Sequence, residues 1–234
     1  MLDLDGWARL AIYYAPPADS ALWRFGSAWL GWDAETGTVP PAPEIQDLPD
    51  SHDALTATPR RYGFHGTLKP PFFLAPGTSG AELETAAREM AAAIAPFEAP
   101  PLSLHAQGRF ASLRLSQRSA QMEALANACV TTLDRFRAPP SEAELARRRQ
   151  TQLSPAQEAN LDRWGYPYVF DQFRFHLTLS SALAPLTLGA LALALAPHTA
   201  PLCARPLPVR EVAIYGDPGK GKPFRLLRRL PLGG

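Results

Sequence analysis

Cysteine is nearly absent from this 234-residue chain: Cys129 and Cys203 stand far apart, and neither belongs to a C-x-x-C pair. A disulfide-stapled scaffold and a thiolate zinc site are thereby excluded, and a reducing cytoplasm is the expected compartment. A charge excess is missing too. The 23 basic and 22 acidic residues leave a formal net charge of +1, so no long-range field gathers nucleic acid or an anionic membrane. The apolar run Ala184 to Ala196 falls well short of the ~20 residues that span a bilayer. Met1 to Gly6 carries Asp3 and Asp5 where a secretory signal would need positive charge, so neither targeting nor membrane association is expected. Glycine and proline, 16 and 25 residues, stay below the roughly 25–30% share that marks disorder, and so punctuate structure. The chain has no His-Glu-x-x-His and no carboxylate cluster at ligand spacing, so neither a metal nor a cofactor is expected. Lysine is scarce, with Lys69, Lys220 and Lys222 the three among 23 basic residues, which reads as compositional bias.

What is present alternates between strand and helix patterns. Leu10 to Ala15 reads as a buried strand ended by Pro16 and Pro17, and Leu22, Phe25, Trp29 and Leu30 recur at helical spacing behind Asp19 or Ser20. A loop follows from Asp33 to Pro49, then a short helix through His52 to Ala57. Tyr62 to Leu68 alternates as a strand that Pro70 and Pro71 cut off. Ser79 with Glu82 opens a capped helix, Leu102 to Leu115 forms a hairpin, and Met122 to Phe136 marks another helix. Two capped helices, from Ser141 to Arg149 and from Ser154 to Gly165, read as an insertion. Phe173 to Ser180 is a strand, Leu186 to Leu195 a helix, and Val209 to Tyr215 pairs with Phe224 to Leu230 as a terminal hairpin. The regular βαβ rhythm of a doubly wound sheet is missing, and an α+β fold is expected.

One internal echo carries chemistry. Phe64-His65-Gly66-Thr67-Leu68 and Phe175-His176-Leu177-Thr178-Leu179 agree at four of five positions, and the histidines lie 111 residues apart. Strand alternation turns His65 and Thr67 to one face and Phe64, Gly66 and Leu68 to the other; the same holds for His176 and Thr178. Extending it adds Lys69 to the first polar row, and Arg174 and Ser180 to the second. If the two units meet about a pseudo-twofold, two imidazoles flank a substrate. Cleaving a phosphodiester needs a base for the incoming oxygen and an acid for the leaving one, and two histidines supply both without a metal. Thr67 and Thr178 would donate to the non-bridging oxygens, with Lys69 or Arg174 offsetting the developing charge.

These two tetrads resemble the 2H phosphoesterase superfamily, defined by a pair of His-x-Thr/Ser-x motifs flanking a cleft. A closer resemblance, over nearly the whole chain, is to its bacterial branch known as DUF1045, a phosphonate-metabolism-associated family. It is carried by the blocks Ala11 to Pro16, Leu22 to Gly31, Arg60 to Lys69, Trp164 to Phe170 and Pro223 to Leu227. The resemblance implies one bilobed domain over residues 1–234, with repeat halves of about 1–118 and 119–234 and the insertion at about 141–165. It implies two antiparallel sheets with outer helices, related by a pseudo-twofold about a cleft. His65 and His176 match the family's catalytic histidines, and Thr67 and Thr178 its phosphate-binding hydroxyls. The implied activity is metal-independent hydrolysis of a small cyclic phosphodiester, a cyclic phosphate of a ribose or nucleotide. Alternatives are a 2′,3′-cyclic phosphodiesterase or ligase acting on RNA ends, and a non-catalytic nucleotide-binding regulator. Neutral charge favours the small ligand, and no obligate protein partner is evident.

Tyr166 and Tyr168 are candidate stacking residues, whereas Tyr13, Tyr14, Trp23 and Trp29 read as core. Gly216 to Lys222 spells G-x-x-x-x-G-K, but Pro223 replaces the Ser or Thr and a strand follows, so it is expected to be a hairpin turn. Arg147 to Arg149 reads as the solvated end of a helix.

Overall fold

The computed structural model describes residues 3–234 and sets nine strands and seven α-helices along them. In chain order the first half runs β1 (Arg9–Tyr14), α1 (Ala21–Leu30), α2 (His52–Arg60), β2 (Gly66–Phe72), α3 (Gly80–Ala92), β3 (Phe97–Ala99), β4 (Leu102–His105) and β5 (Ser112–Leu115). The second runs α4 (Ala120–Thr132), α5 (Glu142–Arg149), α6 (Pro155–Trp164), β6 (His176–Thr178), α7 (Pro185–Thr199), β7 (Leu207–Val209), β8 (Glu211–Asp217) and β9 (Arg225–Pro231). Local chemistry starts the helices. Ser20 caps α1 by accepting from the Trp23 N–H at 3.0 Å. Capping boxes pair Ser79 with Glu82 at α3 and Ser154 with Gln157 at α6. No helix among the described residues is long and apolar enough to cross a membrane.

Seven strands form one antiparallel sheet in the order β4-β5-β6-β2-β1-β8-β9, and β3 pairs with β7 in a small second sheet. The α+β fold with two antiparallel sheets is the expected one, but both motif strands share the larger sheet, because β2 and β6 hydrogen-bond at Gly66 and Leu177. The order reads the same way outward from that seam, β2-β1-β8 on one side and β6-β5-β4 on the other. Each side mixes early and late strands, so the spatial halves are not the sequence halves. Leu10, Ile12, Leu68 and Leu177 turn to a face covered by Leu83 and Met90 of α3, Met122, Leu125 and Cys129 of α4, and Leu191 and Leu195 of α7. A smaller cluster of Ala11, Tyr13, Ala213, Tyr215, Leu226, Phe224 and Trp23 covers part of the other face.

The strand β2 departs from the alternation expected of it. It runs on through Pro70 and Pro71 to Phe72 instead of ending at Leu68. Tyr13 pairs with Thr67 but Ile12 with Lys69, and Leu10 next with Phe72, so the register slips twice. Each slip is a bulge that inserts one residue into β2 and reverses the facing of the residues beyond it. The prolines, which cannot donate to a ladder, sit in the second bulged stretch.

Candidate active site

The floor of the site is the seam. Because Gly66 faces Leu177, the antiparallel register sets His65 opposite Thr178 and Thr67 opposite His176. The local twofold of the pair exchanges one His-x-Thr unit with the other, and the histidines become diagonal neighbours, about 7–8 Å apart by sheet geometry. The row continues on both sides: Arg114 of β5 pairs with His176, and Tyr13 of β1 pairs with Thr67.

Both imidazoles are held by the same device. His65 Nδ1 lies 2.9 Å from the Gly63 carbonyl and His176 Nδ1 lies 2.8 Å from the Arg174 carbonyl. A carbonyl only accepts, so each Nδ1 carries the proton and each Nε2 is left with its lone pair. The His65 Nε2 accepts from the Thr67 hydroxyl at 3.2 Å. Tyr13 stacks on the His65 ring with centroids 3.9 Å apart. Burial pulls the His65 pKa down to about 4, the Gly63 bond opposing and the His176 charge adding to the fall. Burial also lowers His176, with the Arg174 carbonyl opposing and Arg114 assisting. Both rings are neutral at pH 7, ready to accept a proton at Nε2.

Two adjoining cavities rise from this floor. The larger, about 590 Å³, is lined by His65, Thr67, Thr178, Tyr13, Tyr62, Tyr166 and Tyr168 among others. The smaller, about 200 Å³, takes in His176, Arg114 and Arg174 and shares Thr67, Phe110, Tyr166 and Tyr168 with it. Thr151, Arg147 and Arg148 of the α5–α6 segment also line the larger cavity, so this segment forms one wall. Among the described residues no group of three or more His, Cys, Asp or Glu side chains is placed to hold a metal ion.

The chain is similar to known proteins over most of its length. Residues 67–225 match the model of a family described as proteins of unknown function, DUF1045. The chain belongs to the DUF1045 family. Two curated relatives, both called ribose 1,5-bisphosphate phosphokinase PhnN, come from Janthinobacterium sp. (strain Marseille) and Laribacter hongkongensis. The first is 34% identical over 98% of this chain and the second 38% over 94%. The chain spans about half their length, 52% and 51%. Solved structures align over 97% of the chain at low similarity. One of a phosphoesterase gives 16% identity over 99% of that chain with a TM-score of 0.42, and E. coli LigT complexed with NADP+ gives 18% over 99% with 0.41. TT0787 of Thermus thermophilus gives 15% over 98% with 0.45.

Lys69 turns away from the His-x-Thr row, contrary to the alternation argument. The bulge turns it to the Ile12 face, where it is 2% exposed and its Nζ donates to the Val130 carbonyl at 3.1 Å and pairs with Asp134 at 3.5 Å. Arg174 lies at the rim of the smaller cavity, exposed, its guanidinium donating to the Asp171 and Phe173 carbonyls. The cation in the row is Arg114, which strand alternation does not reveal; it sits on the β4–β5 hairpin, whose pairing with β6 has no local signature. Ser180 is buried and spent on the Ala111 N–H and the Ser181 carbonyl. Tyr166 and Tyr168 both line the cavities, with Arg148 placed 4.8 Å over the Tyr166 ring. The string Gly216 to Lys222 falls at the turn of the β8–β9 hairpin, with Gly219, Lys220 and Gly221 at positive φ and no helix after it. It therefore lacks the strand-to-helix geometry of a phosphate loop.

Proposed function

We propose that the chain is a metal-independent phosphodiesterase that hydrolyses a small cyclic phosphodiester of a ribose or nucleotide. The carrying observation is the twofold cross-strand placement of the two His-Thr pairs, each histidine bonded through Nδ1 to the carbonyl two residues upstream. In this reading the two Nε2 atoms act on one phosphoryl group. In the proposed step His65 Nε2 takes a proton from water as the water oxygen bonds to phosphorus. The ring P–O bond breaks, and His176 gives its Nε2 proton to the leaving oxygen. His176 acquires that proton when the anionic substrate binds and raises its pKa. Thr67 and Thr178 donate to the non-bridging oxygens, and Arg114 stabilises the charge that grows there. The aromatic rings of Tyr166 and Tyr168 pack the sugar or base. A place in phosphonate catabolism accords with relatives named for a phosphorylated ribose.

The test is phosphorus NMR of the purified protein in excess chelator with 2′,3′-cyclic nucleotides and a ribose 1,2-cyclic phosphate. Turnover that survives chelation and falls at least ~100-fold in both His65→Ala and His176→Ala supports the proposal. A folded protein without turnover on these substrates, or one that either variant leaves active, overturns it.

A further inference from the structure

Four arginines line the larger cavity, Arg9, Arg61, Arg147 and Arg148, and no Asp or Glu lines it with them. Their carboxylate partners stand outside the lining and are too few. Buried Asp217 serves both Arg9, at 3.0 Å, and Arg61, at 3.4 Å. Glu144 serves both Arg148, at 3.2 Å, and Arg147, at 4.0 Å. A guanidinium does not deprotonate, so this wall keeps two positive charges beyond those its carboxylates balance. Arg149, by contrast, is fully engaged with Glu158 and Asp162 of α6.

The hydrogen bonds single out two of the four. The buried Nε atoms of Arg61 and Arg148 have no partner in the protein, and they are two of the four such side-chain atoms among the described residues. A buried donor left unpaired costs free energy and persists where function demands it. The two arrive from different parts of the fold, Arg61 just beyond α2 and Arg148 on α5. Their side chains remain partly accessible at 36% and 17%.

We propose that this arginine wall binds a second phosphoryl group of the substrate, a terminal phosphomonoester, apart from the diester held between the histidines. The proposal rests on the cyclic-phosphodiester reading above. A phosphomonoester carries close to two negative charges and three acceptor oxygens, which matches two surplus guanidinium charges on partly accessible side chains better than a carboxylate does. An RNA backbone fits less well: the chain is balanced at +1 and lacks the basic stripe that would carry further phosphates. A cavity of about 590 Å³ suits a molecule of nucleotide size.

Two measurements separate the subsite from the chemistry. The first is kcat/KM for a nucleoside 2′,3′-cyclic phosphate with and without a 5′-phosphate. The wild type is expected to favour the phosphorylated substrate at least tenfold, and Arg61→Gln and Arg148→Gln to shrink that ratio to below threefold. Arg61→Lys and Arg148→Lys, which keep charge but lose the planar fork, should fall between. The second is calorimetry with ribose 5-phosphate, which carries no diester. It is expected to bind wild type, His65→Ala and His176→Ala alike, and to be lost when both arginines become glutamine in a protein that still melts cooperatively. A substrate ratio near one, or ribose 5-phosphate binding indifferent to the arginines, overturns the subsite while histidine-dependent turnover leaves the chemistry standing. Arginine-dependent ribose 5-phosphate binding without any turnover does the reverse. Affinity that climbs with oligonucleotide length assigns the wall to an RNA backbone and overturns the proposal.

Discussion

The ring of Tyr13 lies against the imidazole of His65, with centroids 3.9 Å apart and planes inclined by 25°. Tyr13 is 1% exposed and pairs across β1 and β2 with Thr67, so one residue shields both members of the first motif. Replacing it by leucine admits water to the ring. The His65 pKa is then expected to rise from about 4 toward the ordinary imidazole value, by more than one unit, in an NMR titration. Tyr13→Phe keeps the stack and should leave the titration in place. An unchanged His65 titration in folded Tyr13→Leu would show that the stack does not set it.

The pH profile of kcat/KM should be displaced to the acid side. His65 must be neutral and His176 protonated in the proposed step, and both pKa values lie below the usual imidazole value. A bell is expected, with an acid limb near 4 and an alkaline limb below about 6.5. Arg114 faces His176 and its charge depresses that pKa. Arg114→Gln should therefore move the alkaline limb upward while lowering the maximum. A limb that stays fixed in this variant would separate Arg114 from the acid.

Lys69 separates sequence logic from position. Lys69→Met keeps a long side chain on the apolar face and leaves Asp134 paired with Arg137 at 2.8 Å, so it should cost under ~1.5 kcal/mol and change turnover less than about threefold. Asp134→Asn, which strips the partner from a buried cation, should cost about 3–5 kcal/mol in urea unfolding. Turnover abolished by Lys69→Met in a folded protein would return Lys69 to the site.

Gly66 is the one motif position where the two repeats differ. A methyl group there would come within 2.5 Å of Phe175 Cε2 and 2.8 Å of Phe175 Cζ. Gly66→Ala should destabilise by about 1–3 kcal/mol and lower kcat more than it alters KM, because it pries one histidine row from the other. Gly189→Ala on α7, where a methyl meets nothing within 4 Å, is the control and should be neutral or slightly stabilising.

The sequence made some of this readable. Alternation within five residues suffices to turn His65 with Thr67, and His176 with Thr178, to one face, and serine caps mark α1, α3, α5 and α6. Lys69 defeats that logic because alternation holds only while the ladder is unbroken, and the bulge at Leu68 depends on how β1 docks. Arg114 and Arg61 are out of reach for a related reason: their place in the site comes from pairings between strands and loops distant in the chain. The three-residue strands β3 and β7 leave no trace because each is too short to show a period. Arg148 reads as a solvated helix end, and only its position over Tyr166 gives it a cavity to face.

The joint between β2 and β6 also bears on how the molecule comes into being. The β4–β5 and β8–β9 hairpins close over short stretches of chain, whereas Gly66 and Leu177 must find each other across 111 residues. Loop closure of that length is an entropic cost met before the contact returns anything, so local elements form ahead of it. A refolding chain can hold most of its helices and hairpins with the two histidines still apart. On the proposed function, catalytic competence is then among the last properties to appear during folding, and recovered activity reports on the joint.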